Sequence, residues 1–356
     1  MLGLKPRRRA ELSADQSGTL MHWVLQMALD PHPGADNPCA GLRPFLELDD
    51  AAMADLAAAL VDEYARRYLP EDTARFAYLL SRLKKSMTSL LCYLRDEQNQ
   101  SQFKPVACEL KIGRGEDAVP GQVYRLSDGR TVQLVGTVDR ADEWIEDDGT
   151  RWVRVVDYKT GTKKFSLTDV LTGEECQMLL YLFTLTARWP LLKGHAGEFQ
   201  EVEYLMVDPA PKDEGRAKAM KEGGGLVYEK QGMILEREGE EEPPLTPEKQ
   251  AAMKKASATE SQQEAWRKGN HRVTLHRKQL ENIEAYLQEL IVSMAKRLYA
   301  GQITACPRQN KQGMTGCKAW CPYRSVCGHV DGEHERERPE EKKDLFMEKE
   351  NVEWDN

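Results

Sequence analysis

Two aspartates and a lysine stand where apolar runs of the sequence end. Asp139 closes LVGTVD, whereas Asp157 and Lys159 lie at the end of RVVDYK. If the two runs are strands joined through the turn EDDGT, both carboxylates reach the same edge of a sheet. Two such oxygen donors suit Mg²⁺, which keeps several waters and accepts phosphate oxygens. Lys159, two residues beyond Asp157, projects from the same strand face and could orient a water or neutralise charge on phosphorus. The group indicates metal-assisted phosphodiester hydrolysis.

A simpler interpretation of these residues is two surface carboxylates and a salt-bridged lysine. The segment QMLLY adds Gln177 and Tyr181, which lie four residues apart and therefore share one face of a helix. Both could point toward the metal-binding edge. His22, in GTLMHWVL, lies on an apolar helical pattern, where a single histidine is more often structural than a ligand.

Four of the eight cysteines are clustered, which indicates a second kind of metal site. Because the first residues contain no apolar stretch, we expect no secretory signal and reduced thiols, so a metal is a better interpretation than disulfides. The segment is rich in glycine and proline, and a metal there would replace a missing core. The spacing of the cysteines alone does not distinguish a zinc site from an iron–sulfur cluster. The clustered residues are Cys306, Cys317, Cys321 and Cys327.

Composition is typical of a globular chain but does not identify a partner. The 356 residues are 40% hydrophobic and 30% charged, and none of the apolar runs approaches the roughly 20 residues of a membrane span. We therefore expect a cytoplasmic protein without a membrane partner. The net charge is −8, but residues 331–356 hold eleven acidic and five basic residues. The rest of the chain is nearly neutral, so the global charge does not exclude a nucleic acid.

The elements that would position these residues follow from periodicity. Helical spacing covers 14–30 and 49–95, the latter broken at Pro70, and an apolar helix is expected at 173–189. Four strands in antiparallel succession are expected between 104 and 161, and a fifth strand at 201–208. A long amphipathic helix ends at Gly301. The layout predicts a mixed α/β core: a mixed sheet flanked by helices, with a helical N-terminal part and a C-terminal cysteine segment.

Four segments are expected along the chain. The core occupies 1–209, with a helical insertion at about 49–95. A charged, partly flexible insertion follows at 210–270, where periodicity is lost. The long helix and the cysteine segment occupy 271–330, and an acidic tail that we expect to be mobile occupies 331–356.

The ordered series GTVDR, VVDYKTG and QMLLY resembles the RecB-like branch of the PD-(D/E)XK nuclease superfamily. The resemblance is closer still to the C-terminal nuclease region of the AddB family, through SQFKPVACELKIG and CPYRSVCG. It implies a restriction-endonuclease-like fold, a metal-binding histidine and a further metal ligand from a main-chain carbonyl. Glu109 matches an acidic position on the first strand, where a structural role is equally open. The implied catalytic and metal-binding residues are His22, Asp139, Asp157, the carbonyl of Tyr158 and Lys159, with Gln177 and Tyr181 as a supporting motif.

The resemblance also implies a 4Fe–4S cluster held by three cysteines after the core and one before it. This sequence differs from the family's cysteine pattern at two points. Three residues separate Cys317 from Cys321, where the family usually has two, and the upstream ligand would lie just before Gly3, where only Met1 and Leu2 stand. Cys306 could replace it, or the chain could be a fragment with an incomplete cluster. Zinc remains the alternative metal.

The function implied by the resemblance is exonuclease activity with Mg²⁺ or Mn²⁺ on single-stranded DNA ends. The chain would be the nuclease module of an AddB-type subunit, acting with an AddA-type helicase–nuclease subunit in double-strand-break repair and recombination. The sequence has no G-x-x-x-x-G-K-[ST] phosphate-binding loop, so we expect no ATP hydrolysis by this chain. The alternatives are a free-standing RecB-like or CRISPR-associated-type exonuclease, and a non-catalytic DNA-end-binding assembly module.

Overall fold

Four helices form the N-terminal part of the chain. A computed structural model describes residues 14–35, 37–39, 42–69, 74–159, 165–206, 229–235, 272–310, 312–319, 321–340, 345–348 and 350. The helices are α1 (Ala14–Leu29), α2 (Leu42–Glu47), α3 (Asp50–Tyr68) and α4 (Ala74–Gln100). Asp49 caps α3 by accepting a hydrogen bond from the Ala52 amide at 2.8 Å. The predicted interruption at Pro70 is confirmed, since α3 ends two residues before it.

The core of the fold is a six-stranded mixed sheet of order β1-β4-β5-β6-β7-β8. Neighbouring strands are antiparallel except for the parallel pairs β5–β6 and β7–β8. Its strands are β1 (Lys104–Ile112), β4 (Gly136–Ile145), β5 (Arg151–Lys159), β6 (Glu198–Met206), β7 (Glu229–Leu235) and β8 (Arg272–Leu275). This arrangement confirms the predicted α/β class.

The order of the first strands differs from the antiparallel succession that we predicted. The run TVQLVGTVDRADEWIED is two strands, and β4 pairs directly with β1. The hairpin of β2 (Val123–Arg125) and β3 (Thr131–Gln133) forms a separate two-stranded sheet. The chain passes between the sheets through a tight crossing, where a Cβ atom on Gly121 would lie 2.1 Å from the carbonyl oxygen of Leu134. Alternation of apolar residues marks strands but does not state which strands pair.

Helices cover both faces of the sheet, which explains why β5 is buried along nearly all of its length. On one face Val156 and Tyr158 pack in the core of α1, α3 and α4. On the other face Val153 and Val155 pack beneath α6 (Gln177–Lys193) and α7 (Arg277–Tyr299). The short helices are α5 (Leu167–Leu171), α8 (Gly316–Ala319) and α9 (Arg324–Cys327).

Two of the expected segments each contain a short piece that packs on the core. The region expected to be an insertion at 210–270 contributes β7, which extends the central sheet beside β6. In the tail that we expected to be mobile, Leu345 and Phe346 are buried in the core beneath α7. The other residues of 210–270 lie outside the described part of the chain, whereas 331–340 of the tail lie within it. Within the described part, no helix is long and apolar enough to cross a membrane.

Candidate metal centre and active site

Strands β4 and β5 hold the two predicted aspartates side by side. Arg140 lies opposite Val156 in the antiparallel ladder, so Asp139 and Asp157 are the next residues that lie opposite each other. The Tyr158 amide donates a hydrogen bond to Asp139 Oδ2 at 2.8 Å, which fixes that carboxylate against β5. The two strands therefore bring both carboxylates to one edge, as their positions at the ends of apolar runs indicate.

Helix α1 adds His22 to this edge. Its Nε2–H donates to the Tyr158 carbonyl oxygen at 3.1 Å, and its Nδ1 lies 3.4 Å from Asp139 Oδ1. The same nitrogen lies 3.7 Å from Glu109 Oε1. Ligand atoms of His22, Glu109 and Asp139 all lie within 4.8 Å of one another. These three side chains therefore share one space, and the Tyr158 carbonyl adjoins it through the other ring nitrogen of His22.

Within this group, Glu109 has an unusual backbone conformation. Its φ is +49°, in the left-handed region that a non-glycine residue rarely adopts. Such a conformation costs on the order of 1–3 kcal/mol and persists where the surroundings enforce it, often at functional sites. No pattern in the sequence indicates this conformation, and the ELKIG motif leaves a structural role open. The geometry places Glu109 among the candidate metal ligands.

The local charges are unbalanced in favour of the acidic groups. Burial and the neighbouring Asp139 charge raise the pKa of Asp157 to about 6, against the lowering effect of Lys159. Burial alone would lower the pKa of His22, but the hydrogen bonds and charges of Asp139 and Glu109 outweigh it and raise this pKa to about 10. Both shifts show an electrostatic preference for additional positive charge at the site.

Lys159 supplies part of that charge to Asp157. Its Nζ donates to Asp157 Oδ1 at 3.1 Å and lies 2.8 Å from Oδ2. Burial alone would lower the pKa of Lys159, but the charge of Asp157 outweighs it and raises this pKa, so the ammonium group is charged at neutral pH. The Asp157 side chain is 4% exposed and the Lys159 side chain 44% exposed. The lysine is therefore anchored at a buried carboxylate and open to solvent on its other side.

Gln177 and Tyr181 meet at the start of β4. Gln177 Nε2 donates to Tyr181 Oη at 3.3 Å, as expected for residues on one face of α6. The Tyr181 ring packs on Gly136, where a Cβ atom would lie 2.2 Å from Tyr181 Oη. The glycine thus permits close contact between α6 and β4, three residues before Asp139. The assignment of Gln177 and Tyr181 as a supporting motif stays a prediction.

Behind the site lies a buried charged network that sequence reasoning missed. Asp142 accepts hydrogen bonds from Arg140 at 2.8 and 3.0 Å and from Arg154 at 2.6 and 2.9 Å. Arg140 also donates to Tyr158 Oη at 2.9 Å. The only signal in the sequence is a set of charged residues at apolar positions within two strands. The network holds Tyr158, whose amide and carbonyl groups both contact the site.

The donor set fits a divalent ion. It offers one imidazole nitrogen, carboxylate oxygens and a main-chain carbonyl. The buried Asp157 Oδ2 atom adds an oxygen that is paired by charge with Lys159 but accepts no hydrogen bond from the described residues. Oxygen-rich sets of this kind suit Mg²⁺ or Mn²⁺. Asp157 itself is not part of the group that lies within 4.8 Å, but its carboxylate adjoins that group.

Three of the clustered cysteines lie near one another. Desolvation and then the neighbouring Cys321 and Cys327 raise the pKa of the Cys317 thiol. Cys317 and Cys321 also line a groove of about 870 Å³ between α7 and the cysteine segment. Arg308 and Arg336 line the same groove. A metal bound by these thiols would supply the positive charge that neighbouring thiolates require. The backbone carbonyl of Cys306 accepts a hydrogen bond from Arg336 at 2.9 Å.

Comparison with known proteins identifies a family and several relatives. A family model of the PD-(D/E)XK nuclease superfamily matches residues 1–328. An ATP-dependent helicase/deoxyribonuclease subunit from Lacticaseibacillus paracasei is 31% identical over 336 residues, which cover 88% of this chain and 26% of the relative.

Relatives with the same description from Clostridium kluyveri and Desulforudis audaxviator are 25% and 26% identical. Each alignment covers 92% of this chain, and 28% and 27% of the respective relative. The chain thus spans about a quarter of the length of these curated relatives.

Proposed function

Because this chain belongs to the PD-(D/E)XK nuclease superfamily, we propose that it hydrolyses DNA phosphodiester bonds with Mg²⁺ or Mn²⁺. The observation that carries this proposal is the convergence of His22, Glu109 and Asp139 on one space, with the Tyr158 carbonyl bound to His22 beside it. Such an ion would polarise the phosphate and lower the pKa of a bound water. The ligands proposed from the sequence are retained, and Glu109 is added.

The side chains of the site have separate roles in this proposal. Asp139 is oriented by the Tyr158 amide, which keeps its other oxygen directed toward His22. Asp157 holds the Lys159 ammonium group at the mouth of the site. From there Lys159 can donate a hydrogen bond to an attacking water or to a phosphate oxygen. The charged lysine would stabilise negative charge that develops on the phosphoryl group in the transition state.

DNA is the proposed substrate because the relatives are described as deoxyribonuclease subunits. We place the chain as the nuclease module of an AddB-type subunit that works with an AddA-type helicase–nuclease subunit. Its substrate would be single-stranded or unwound DNA ends, and its role double-strand-break repair and recombination. The proposed division remains a core at 1–209, an insertion at 210–270, the helix and cysteine segment at 271–330, and a tail.

We also propose a 4Fe–4S cluster on Cys317, Cys321 and Cys327. The proximity of these thiols supports it. Cys306 stays a candidate for the fourth ligand. Anaerobic purification followed by iron and sulfide analysis tests the cluster. Stoichiometric zinc without either element would instead favour a zinc site.

The nuclease proposal is tested by Mg²⁺-dependent degradation of labelled single-stranded DNA. We expect Asp157→Ala and Lys159→Ala each to reduce the rate about 100-fold or more, because metal-site and lysine groups act as one unit. Asp147→Ala and Lys85→Ala are matched controls, since both residues are exposed and lie away from the site.

Comparison of linear and circular substrates separates exonuclease from endonuclease cleavage. Equal activity of the wild type and both site variants would reject the proposed active site. Binding of DNA ends without degradation by the wild type would favour the assembly-module alternative.

A further inference from the structure

The segment after the last cysteine contains a histidine that is buried without a hydrogen bond to its Nε2 atom. The His329 side chain is 3% exposed, and among the described residues none forms a hydrogen bond with this nitrogen. The Glu335 Oε1 atom lies 3.7 Å from it. A buried polar atom without a hydrogen bond costs on the order of 1–3 kcal/mol, so its retention requires an explanation.

Two carboxylates lie around this imidazole. Ligand atoms of His329, Asp331 and Glu335 all lie within 4.8 Å of one another. The 3.7 Å separation of His329 and Glu335 is too long for a hydrogen bond. Two atoms that each bind one ion at about 2.1 Å in tetrahedral geometry lie roughly 3.4 Å apart. The spacing is therefore nearer to that of two metal ligands than to that of a hydrogen-bonded pair.

The two carboxylates are oriented by groups outside the cluster. Glu335 accepts hydrogen bonds from the Gly332 amide at 2.7 Å and from Gln309 Nε2 at 3.0 Å. Asp331 accepts one from Arg324 Nη2 at 2.6 Å. Hydrogen bonds of this kind orient metal ligands and are typical of metal sites. The Asp331 side chain is 32% exposed, which leaves a route from solvent to the buried imidazole.

We propose that His329, Asp331 and Glu335 bind one divalent transition-metal ion, with Zn²⁺ as the best match. One imidazole nitrogen and two carboxylate oxygens suit zinc with a water as fourth ligand. The nitrogen ligand favours Zn²⁺ over Mg²⁺. The site is separate from the candidate active site and uses none of the four clustered cysteines, so it does not depend on the proposed function.

This ion would fasten a part of the chain that has little regular structure. The Gln309 amide donates to the Arg336 carbonyl at 2.9 Å, and the Arg336 amide donates to the Pro307 carbonyl at 2.9 Å. Glu335 is bound to Gln309, while Asp331 is bound to α9 through Arg324. A metal at this point joins the segments on either side of Cys317 and Cys321. It would replace the missing hydrophobic core with metal–ligand bonds.

Counting bound Mn²⁺ by electron paramagnetic resonance tests the proposal on the full chain. Mn²⁺ prefers nitrogen and oxygen ligands to thiolates, so it avoids the cysteines. An Asp139→Asn background weakens binding at the candidate active site and is common to all samples. We expect His329→Ala to bind one Mn²⁺ fewer than the background protein. We expect Zn²⁺ to displace that same ion from the background protein.

His334→Asn is the matched control, because His334 lies in the same segment, is exposed and lies outside the cluster. Asparagine also tolerates the positive φ of +54° at this position. We expect this variant to bind as many ions as the background protein. Glu335→Gln should weaken the site about tenfold or more, and it serves as the test if His329→Ala does not fold. Equal metal counts in the background, His329→Ala and Glu335→Gln proteins would overturn the proposal and leave an ion pair between His329 and Glu335.

Discussion

At the scale of single residues, the charge of Asp157 opposes the stability of the metal-free protein. Burial and Asp139 raise its folded-state pKa to about 6 from 3.8. A carboxyl group with a raised pKa contributes stability below its unfolded-state pKa and loses it as the pH rises through the folded-state value. Above about pH 6 the ionised group is therefore unfavourable in the fold. The same charge is what the proposed ion and Lys159 require.

We therefore predict that Asp157→Asn stabilises the protein in EDTA at pH 7.5 by about 1–3 kcal/mol, partly offset by the lost contact with Lys159. The gain should fall to roughly half by about pH 5, because protonation then neutralises the wild-type group. Urea unfolding at the two pH values measures both effects. Asp147→Asn, at an exposed position, should change little. A variant less stable than the wild type at both pH values would contradict the prediction.

Glu109 provides a second test at this scale. If its carboxylate is a ligand, Glu109→Gln should raise the Mg²⁺ concentration for half-maximal DNA degradation by about tenfold or more. The left-handed backbone conformation is unchanged by this substitution, so the free energy of unfolding in EDTA should change less than metal affinity does. Metal titration of activity makes the measurement, with the exposed Glu116→Gln as control. An unchanged metal dependence would assign Glu109 a structural role.

The sequence identified some members of this site more readily than others. Asp139, Asp157 and Lys159 follow from charged residues at the ends of apolar runs, and the structure places them together. His22 required the family resemblance, because an isolated histidine on an apolar helix carries little information. The place of Glu109 in the site depends on a positive φ, which no residue pattern in ELKIG reveals.

At the scale of elements, the hairpin of β4 and β5 depends on its buried network. Asp142 is fully buried and is the shared partner of Arg140 and Arg154. We predict that Asp142→Asn destabilises the protein by about 3–5 kcal/mol, because two buried guanidinium groups lose their common counter-charge. Urea unfolding provides the measurement, and Asp147→Asn on the same hairpin is the control. A loss below about 1 kcal/mol would contradict the prediction and show that Glu97 and Glu203, which pair with Arg154 and whose charges also act on Arg140, neutralise the network.

The existence of most elements could be predicted from periodicity, but their pairing could not. The helices at 14–30 and 173–189 and the strands around Asp139 and Asp157 all occur where expected. The β2–β3 hairpin was expected in the main sheet, yet β1 reaches past it to pair with β4. Pairing is decided by long-range packing and by the tight approach of Gly121 to Leu134, which local alternation does not encode.

At the scale of the whole molecule, composition was a poor guide to which segments join the core. The charged regions at 210–270 and 331–356 were both expected to be partly or wholly mobile. Each nevertheless contains a short apolar piece that packs: β7 in the first, and Leu345 and Phe346 in the second. A short apolar sequence within a charged segment carries little weight in an average over composition. Whether such a sequence is buried depends on an apolar surface that is formed by residues distant in the sequence.

Phe346 provides the test of this point. Its side chain is fully buried, lies 5.3 Å from the Tyr286 ring, and its carbonyl accepts a hydrogen bond from Asn282 at 2.9 Å. We predict that Phe346→Ala costs about 3 kcal/mol in the free energy of unfolding, because the lost burial leaves a cavity beneath α7. Met347→Ala, at a side chain 46% exposed, should cost under about 0.5 kcal/mol. Equal stability of both variants in urea would show that the tail does not contribute to the core in solution, and that α7 is stable without it.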